Sequence, residues 1–167
     1  NISIMNYAGI IFSDIADSDD GECTSLWFNG CDVRCKGCHN KSLWDEVCYK
    51  DNEEVVDNLY TALTKGPNKK SLSILGGEPL MVSNRKDCLD IIRKIKQKIP
   101  DLYIRVWTGH IYEQLLAEND PTLNEIFQTI DCLIDGPFDE SKTVIGTLNL
   151  RGSSNQRVIL LKQLNNL

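Results

Sequence analysis

No stretch of this sequence approaches the roughly 18 consecutive apolar residues that a membrane-spanning helix requires. The first ten residues, Asn1 to Ile10, also lack the basic start and long apolar segment of a secretory signal, so a soluble, cytoplasmic setting is expected. Positive charge is not in excess: 18 Lys and Arg stand against 24 Asp and Glu, for a net charge of −6. A phosphate backbone needs clustered cations, so nucleic acid is not an expected partner. The basic run Arg93, Lys94, Lys96 and Lys98 reads as the solvated face of a helix. Repeats, low-complexity segments and linkers are absent. With 41% hydrophobic and 25% charged residues, the composition is that of an ordinary globular protein. One domain is expected over residues 5–167, with residues 1–4 read as a remnant added ahead of it.

Cysteine is plentiful, with seven in 167 residues. Without an export signal, that number points to metal binding or catalysis before disulfides, and an odd count does not suit a closed disulfide framework. Cys31, Cys35 and Cys38 are bunched, whereas Cys23, Cys48, Cys88 and Cys132 are scattered. Cys88 and Cys132 sit in apolar-patterned segments and read as core residues.

The pattern along the chain alternates strands and helices. Strands are expected at 23–29, 71–75, 102–107, 131–135 and 157–161, and helices at 52–65, 84–99, 111–118 and 121–129. Gly66-Pro67 and Pro100 stop two of the helices, and Pro121 suits a first helical turn. This order predicts an α/β fold with a mostly parallel sheet joined by crossover helices. The chain is too short for a complete eight-unit barrel of ~250 residues, so a partial (β/α) barrel of five or six strands is expected. Trp27 and Trp107 are expected in the core.

The unusual residues follow strand ends. The first strand runs into Gly30-Cys31, the next into Gly76-Gly77-Glu78-Pro79, the third into Thr108-Gly109-His110 and the fourth into Gly136-Pro137-Phe138. In parallel α/β folds that edge binds ligands, so sites far apart in sequence are expected to converge there.

Cys31-Asp-Val-Arg-Cys35-Lys-Gly-Cys38 places three thiolates on one loop. A four-iron cluster held only by protein takes four cysteines. A loop offering three leaves one iron open to a small molecule, which separates a catalytic cluster from an electron carrier. Structural zinc is the alternative, and it needs a fourth ligand from His39 or Cys48.

Cys-x3-Cys-x2-Cys after a strand, followed by Gly76-Gly77-Glu78-Pro79 after the next, resembles the radical S-adenosylmethionine (SAM) superfamily. Within it the chain is most similar to the group that activates anaerobic ribonucleoside-triphosphate reductase. That closer match rests on Phe28-Asn-Gly-Cys31, Cys38-His-Asn40 with Trp44, Asp135-Gly-Pro-Phe138, and Arg151-Gly-Ser-Ser-Asn-Gln-Arg157. Two departures stand out. Gly37, not an aromatic, precedes the third cysteine, with His39 placed to do the ring's work, and Asp17–Cys23 lacks the Asn-Gly-Pro-Gly plus Arg pattern.

The resemblance implies a [4Fe-4S] cluster on Cys31, Cys35 and Cys38, and S-adenosyl-L-methionine bound near Gly37, His39, Gly76, Gly77, Glu78, Pro79 and Asp135. Gly76 and Gly77 are expected to let the backbone approach the methionine part. Glu78 is expected to hold its amino group or to fix the loop. Arg151, Asn155 and Arg157 are candidate partner or cofactor contacts, and Trp44 is a candidate shield for the cluster. The implied activity is reductive cleavage of SAM, fed by an external one-electron reductant, with hydrogen abstraction from a glycine of the reductase's large catalytic subunit. A small-molecule radical SAM enzyme and a pyruvate formate-lyase-type activase are the enzymatic alternatives. A zinc-binding interaction module is the non-enzymatic one.

Overall fold

The computed structural model describes residues 2–45, 48–145 and 149–165. It is an α/β fold built on one open sheet of seven strands. Their chain order is β1 (Ile4–Asp14), β2 (Cys23–Phe28), β3 (Tyr49–Asp51), β4 (Ser71–Gly76), β5 (Ile104–Trp107), β6 (Cys132–Asp135) and β7 (Arg157–Leu160). Across the sheet the order is β3-β1-β2-β4-β5-β6-β7. The four central strands β2, β4, β5 and β6 are parallel, and β1, β3 and β7 add antiparallel edges. The parallel centre is as expected. The sheet has seven strands instead of five or six, and it is not closed.

The antiparallel start was not anticipated. β1 is eleven residues long, yet its pairing with β2 slips between Tyr7 and Gly9 and again between Ile11 and Asp14. Each slip shifts the two-residue period by one, so the alternation that marks a strand is lost in the sequence. Ile4 opens this strand, and Ser3 O accepts a 2.9 Å bond from Asn52 N.

Helices α1 (Asn52–Thr64), α2 (Val82–Lys98) and α4 (Pro121–Thr129) pack side by side on one face of the sheet. The short α3 (Tyr112–Ala117) precedes α4, and α5 (Leu161–Asn165) follows β7. Two of the starts are capped as their sequences require. Asp51 accepts from Glu53 N and Glu54 N, and Asp120, just before Pro121, accepts from Thr122 N and Leu123 N. Alternation then sorts the strands. Leu26, Phe28, Leu72, Ile74, Ile104, Val106 and Leu133 meet the apolar stripes of the helices in the main core. Cys88 lies in that core as expected, and burial pushes its thiol up. Cys132 joins Ile134 and Leu150 in a smaller cluster on the opposite face, and burial pushes its thiol up to about 11.

Among the described residues, that opposite face carries no helix over its lower half. The segment after β1 covers it instead: Ser25 Oγ donates to Asp14, Ser73 Oγ donates to Asp17 O, and Arg105, 1% exposed, donates to Asp19. The upper half, at the carboxyl ends of the parallel strands, is left to the loops. On the helical side, the basic run is spent on internal pairs, Arg93 with Glu125 and Lys94 with Glu53 and Asp90. Among the described residues no helix is long and apolar enough to cross a membrane.

Candidate metal centre

The cysteine loop leaves β2 through Asn29 and Gly30 and is pinned from behind. Gly30 N donates to Leu43 O at 2.7 Å and Cys31 N to Trp44 O at 3.1 Å, so the 3₁₀ turn at Lys41–Leu43 backs the loop. Arg34 turns the chain in the left-handed region at φ 53°, and Cys38 N donates to Cys35 O at 3.2 Å. The outward side chains alternate and reach three different segments. Asp32 meets His110 at 2.8 Å, Arg34 meets Asp45 at 3.6 Å, and Lys36 meets Glu140 at 3.4 Å. Each such exposed pair is weak alone.

On the inner side, Cys31, Cys35 and Cys38 line one cavity of about 160 Å³. Gly76, Gly77, Glu78, Thr108, Gly109 and Gly136 from the other strand ends share its wall, so the expected convergence holds. Leu75, Trp107 and Phe138 give it an apolar side. Trp107, expected in the core, faces this cavity and donates Nε1–H to Leu150 O at 2.7 Å. Trp44 also lines the cavity, with Arg34 and Lys41 near its ring.

The thiols suit a metal. Burial raises the Cys31 and Cys35 thiols. Main-chain N–H groups of Arg34 and Val33 act the other way on Cys31, as does that of Phe138 on Cys35. Asn40 N donates to Cys38 Sγ at 3.3 Å. Every sulfur thus has an N–H donor of the kind that a bound thiolate accepts. Neither candidate for closing a zinc site joins them. His39 is exposed with its ring 5.2 Å from that of Phe138, Cys48 is exposed beside β3, and neither lines the cavity. Among the described residues, no three Cys, His, Asp or Glu converge as one metal ion requires. Three thiols ranged around a shared cavity fit a cluster of several irons better than one zinc.

The glycine pair serves the fold at its closest contacts. Gly76 sits at φ 127°, and a Cβ there would stand 2.4 Å from Phe28 O. A Cβ on Gly77 would stand 2.1 Å from Gly30 O. What approaches these glycines is the end of β2 and the start of the cysteine loop, locked on by Gly77 N to Phe28 O and Glu78 N to Gly30 O. A Cβ on Gly37 would stand 2.2 Å from Glu140 Oε2. Pro79 is buried beside Glu78.

Glu78 lines the cavity and is held by its neighbours. Its carboxylate is 1% exposed and accepts from Leu80 N, Thr108 Oγ1 and Gly109 N. Burial pushes this carboxyl up, and the donors together with His110 oppose the rise. Asp135 is likewise engaged. It accepts from Arg157 and Tyr112 N, and Arg157 reaches on to Glu113. Arg151 makes turn contacts with Asn149 and Ser154 O, and Asn155 donates to Pro137 O. None of these four lines the cavity.

Two organising residues escaped the sequence reading. Asn84, fully buried on α2, donates to Asn29 O and Glu78 O and accepts from Asn6, so it ties both motif loops to β1. Gln156 lines the cavity, accepts from Gly152 N and Ser153 N, and donates to Gly136 O. The polar string around Gln156 was visible, but nothing in it singled out this member. Asn84 looked like an ordinary residue in a helical first turn.

A family model described as a 4Fe-4S single cluster domain matches residues 18–159. Curated relatives align over nearly their whole length. The anaerobic ribonucleoside-triphosphate reductase-activating protein of Vibrio cholerae serotype O1 is 33% identical over 91% of this chain and 96% of its own. That of Pasteurella multocida is 32% identical over 95% and 99%, and that of Escherichia coli K12 is 31% identical over 92% and 97%. The cysteine loop and its cavity lie inside the matched region. By fold edge, thiol arrangement and extended likeness, the chain belongs to the family of anaerobic ribonucleoside-triphosphate reductase-activating proteins.

Proposed function

We propose that this chain is a radical SAM activating enzyme that generates a glycyl radical on the catalytic subunit of anaerobic (class III) ribonucleoside-triphosphate reductase. Cys31, Cys35 and Cys38 would hold its [4Fe-4S] cluster, and S-adenosyl-L-methionine would bind in the cavity beside them. The observation that carries this reading is the set of three thiols on one cavity wall, with no fourth Cys or His lining it among the described residues. When bound, the cluster supplies an electron from an external reductant to SAM, whose cleavage provides the oxidant for the glycine.

The chain's own residues position and shield. The Glu78 N–H, bonded to Gly30 O, and Asn84, bonded to Asn29 O and Glu78 O, hold the β4 loop against the cysteine loop, and Gly76 and Gly77 make that contact possible. Leu75, Trp107 and Phe138 keep the reacting volume apolar and dry. In this reading Gly76, Gly77 and Glu78 line the SAM site, Gly37, His39, Pro79 and Asp135 support it from outside that lining, and Arg151, Asn155 and Arg157 shape the loop nearest the partner. The unclosed sheet acts as a partial barrel, residues 5–167 are one domain, and the enzyme works in the cytoplasm.

The test is anaerobic reconstitution with iron and sulfide, then reduction, electron paramagnetic resonance with and without SAM, and assay of 5′-deoxyadenosine. A four-iron signal that changes with SAM, together with the cleavage product, supports the reading. One zinc per chain with no iron uptake sinks it.

A further inference from the structure

Gly9 lies in the middle of β1, and nothing among the described residues calls for glycine there. Its φ is outside the left-handed region, and a Cβ added to it would meet nothing within 4 Å among the described residues. The register slip between Tyr7 and Gly9 does not explain it, because the bulge that demands glycine places that residue at positive φ. Glycine weakens a strand interior, and its other use in a strand is to admit a second backbone or a ligand at close range.

The space over Gly9 is a groove of about 340 Å³ lined by Ala8, Gly9, Ile10, Ile11, Trp27 and Leu43. All six are uncharged, on a chain that is 25% charged. Trp27 pairs with Gly9 across the strands and points away from the helices, since Leu26 and Phe28 on either side fill the main core. Ile11 is 46% exposed.

The groove also adjoins the metal centre. Trp27 lies directly beside Leu75 in the β2–β4 register, and Leu75 lines the cysteine cavity. Leu43 O holds Gly30 N, one residue before the first cysteine. An extended chain resting on Gly9 therefore has its neighbouring residues one strand away from the thiols.

Resting on the function proposed above, we infer that this groove seats the glycine-bearing segment of the reductase subunit. Its backbone passes close over Gly9, and one apolar side chain next to the target glycine inserts between Ile11, Trp27 and Leu43. A backbone close approach calls for an extended peptide, the uncharged lining calls for an apolar side chain, and adjacency to the cavity calls for the protein that is acted on there.

The experiment uses the reconstituted protein with Gly9→Leu and Gly9→Val. Neither change meets an atom of the described chain, so the thermal midpoint is expected to hold or rise. SAM cleavage to 5′-deoxyadenosine with a chemical reductant and no reductase is expected to match the unsubstituted protein. Glycyl-radical formation on the reductase is expected to fall at least tenfold for Gly9→Leu. Hydrogen exchange of the unsubstituted chain, with and without reductase, should show new protection over residues 8–12. Reductase activation by Gly9→Leu at the original rate overturns the inference. So does a change in self-association with activation intact, or an absence of protection over residues 8–12. Failure of reductase-free SAM cleavage in the unsubstituted protein instead overturns the proposed function itself.

Discussion

Gly109 N donates to Glu78 Oε1 at 2.6 Å, which joins the loop after β4 to the loop after β5 across the cavity floor. Leu80 N and Thr108 Oγ1 complete the set on Glu78 Oε2. A carboxylate accepts all three bonds, whereas an amide turns a donor toward at least one of them. Glu78→Gln is therefore expected to lower the stability of the metal-free protein by about 1–3 kcal/mol, the cost of an unpaired buried donor. Chemical denaturation measures it. Full stability in the variant would mean that the carboxylate is not the clasp described here.

Gly77 makes the closest packing between the two motif loops. A methyl group there would stand 2.1 Å from Gly30 O and 2.9 Å from Leu43 O, both main-chain atoms that cannot swing aside. Gly77→Ala must therefore push the cysteine loop away from β4, at a cost of about 1–3 kcal/mol. Iron bound after anaerobic reconstitution is expected to fall along with stability. Gly21→Ala, with φ 112° but open space around its Cβ, is expected to strain the backbone and leave iron loading intact.

The seven cysteines divide into two classes that iron analysis separates. Cys31→Ser, Cys35→Ser and Cys38→Ser are each expected to abolish the four-iron absorption, because those thiols share the cavity. Cys48→Ser is expected to load fully, since Cys48 is exposed outside it. Cys88→Ser is expected to load iron but to lose about 1–3 kcal/mol of stability, because it buries a hydroxyl in the apolar core. Loss of iron in Cys48→Ser would reopen the question of a fourth protein ligand.

The parallel centre and the metal-binding loop were legible in the sequence because both are written in short range. Strand and helix periods alternate there, and the three cysteines lie on one turn. What was not legible depends on register and on contacts across the fold. The two slips in β1 erased its alternation, so an eleven-residue strand went unread. Glycines 76 and 77 line the cavity, and the close approach of Phe28 and Gly30 to them was not visible in the sequence. Asp135 and Arg157 each looked available for a cofactor or partner. They are twenty-two residues apart and satisfy one another, which only the antiparallel pairing of β6 with β7 reveals.

That pairing gives a test of the Arg157 role. Asp135 is 1% exposed, and Arg157 neutralises it with two bonds, from Nε to Oδ1 and from Nη2 to Oδ2. Arg157→Met leaves a buried carboxylate without its cation, at an expected cost of about 3 kcal/mol. The loss should appear in thermal unfolding of the isolated chain and should be largely recovered in the double variant Arg157→Met with Asp135→Asn. A single variant of unchanged midpoint that still failed to activate the reductase would assign Arg157 to the partner instead.

Asp17 predicts how stability follows pH. Burial pushes its carboxyl up to about 7, and the neighbouring Asp14 carboxylate adds to the rise. Burial acts on Asp14 in the same sense, but bonds from Asp17, Ser25 and Ala16 N outweigh it and hold that carboxyl below its usual range. The folded chain thus keeps a proton on Asp17 that the unfolded chain, at an ordinary 3.8, releases. The contribution from Asp17 is complete below pH 3.8 and is lost as pH rises through about 7. Asp17→Asn keeps a donor for Asp14 and carries no proton to lose. Against the unsubstituted chain it should gain about 1–2 kcal/mol at pH 8, a figure reduced for the partial exposure of the group, and nothing at pH 4. Denaturation of the metal-free proteins at both pH values decides it, and an equal difference at the two would show that Asp17 does not titrate in this window.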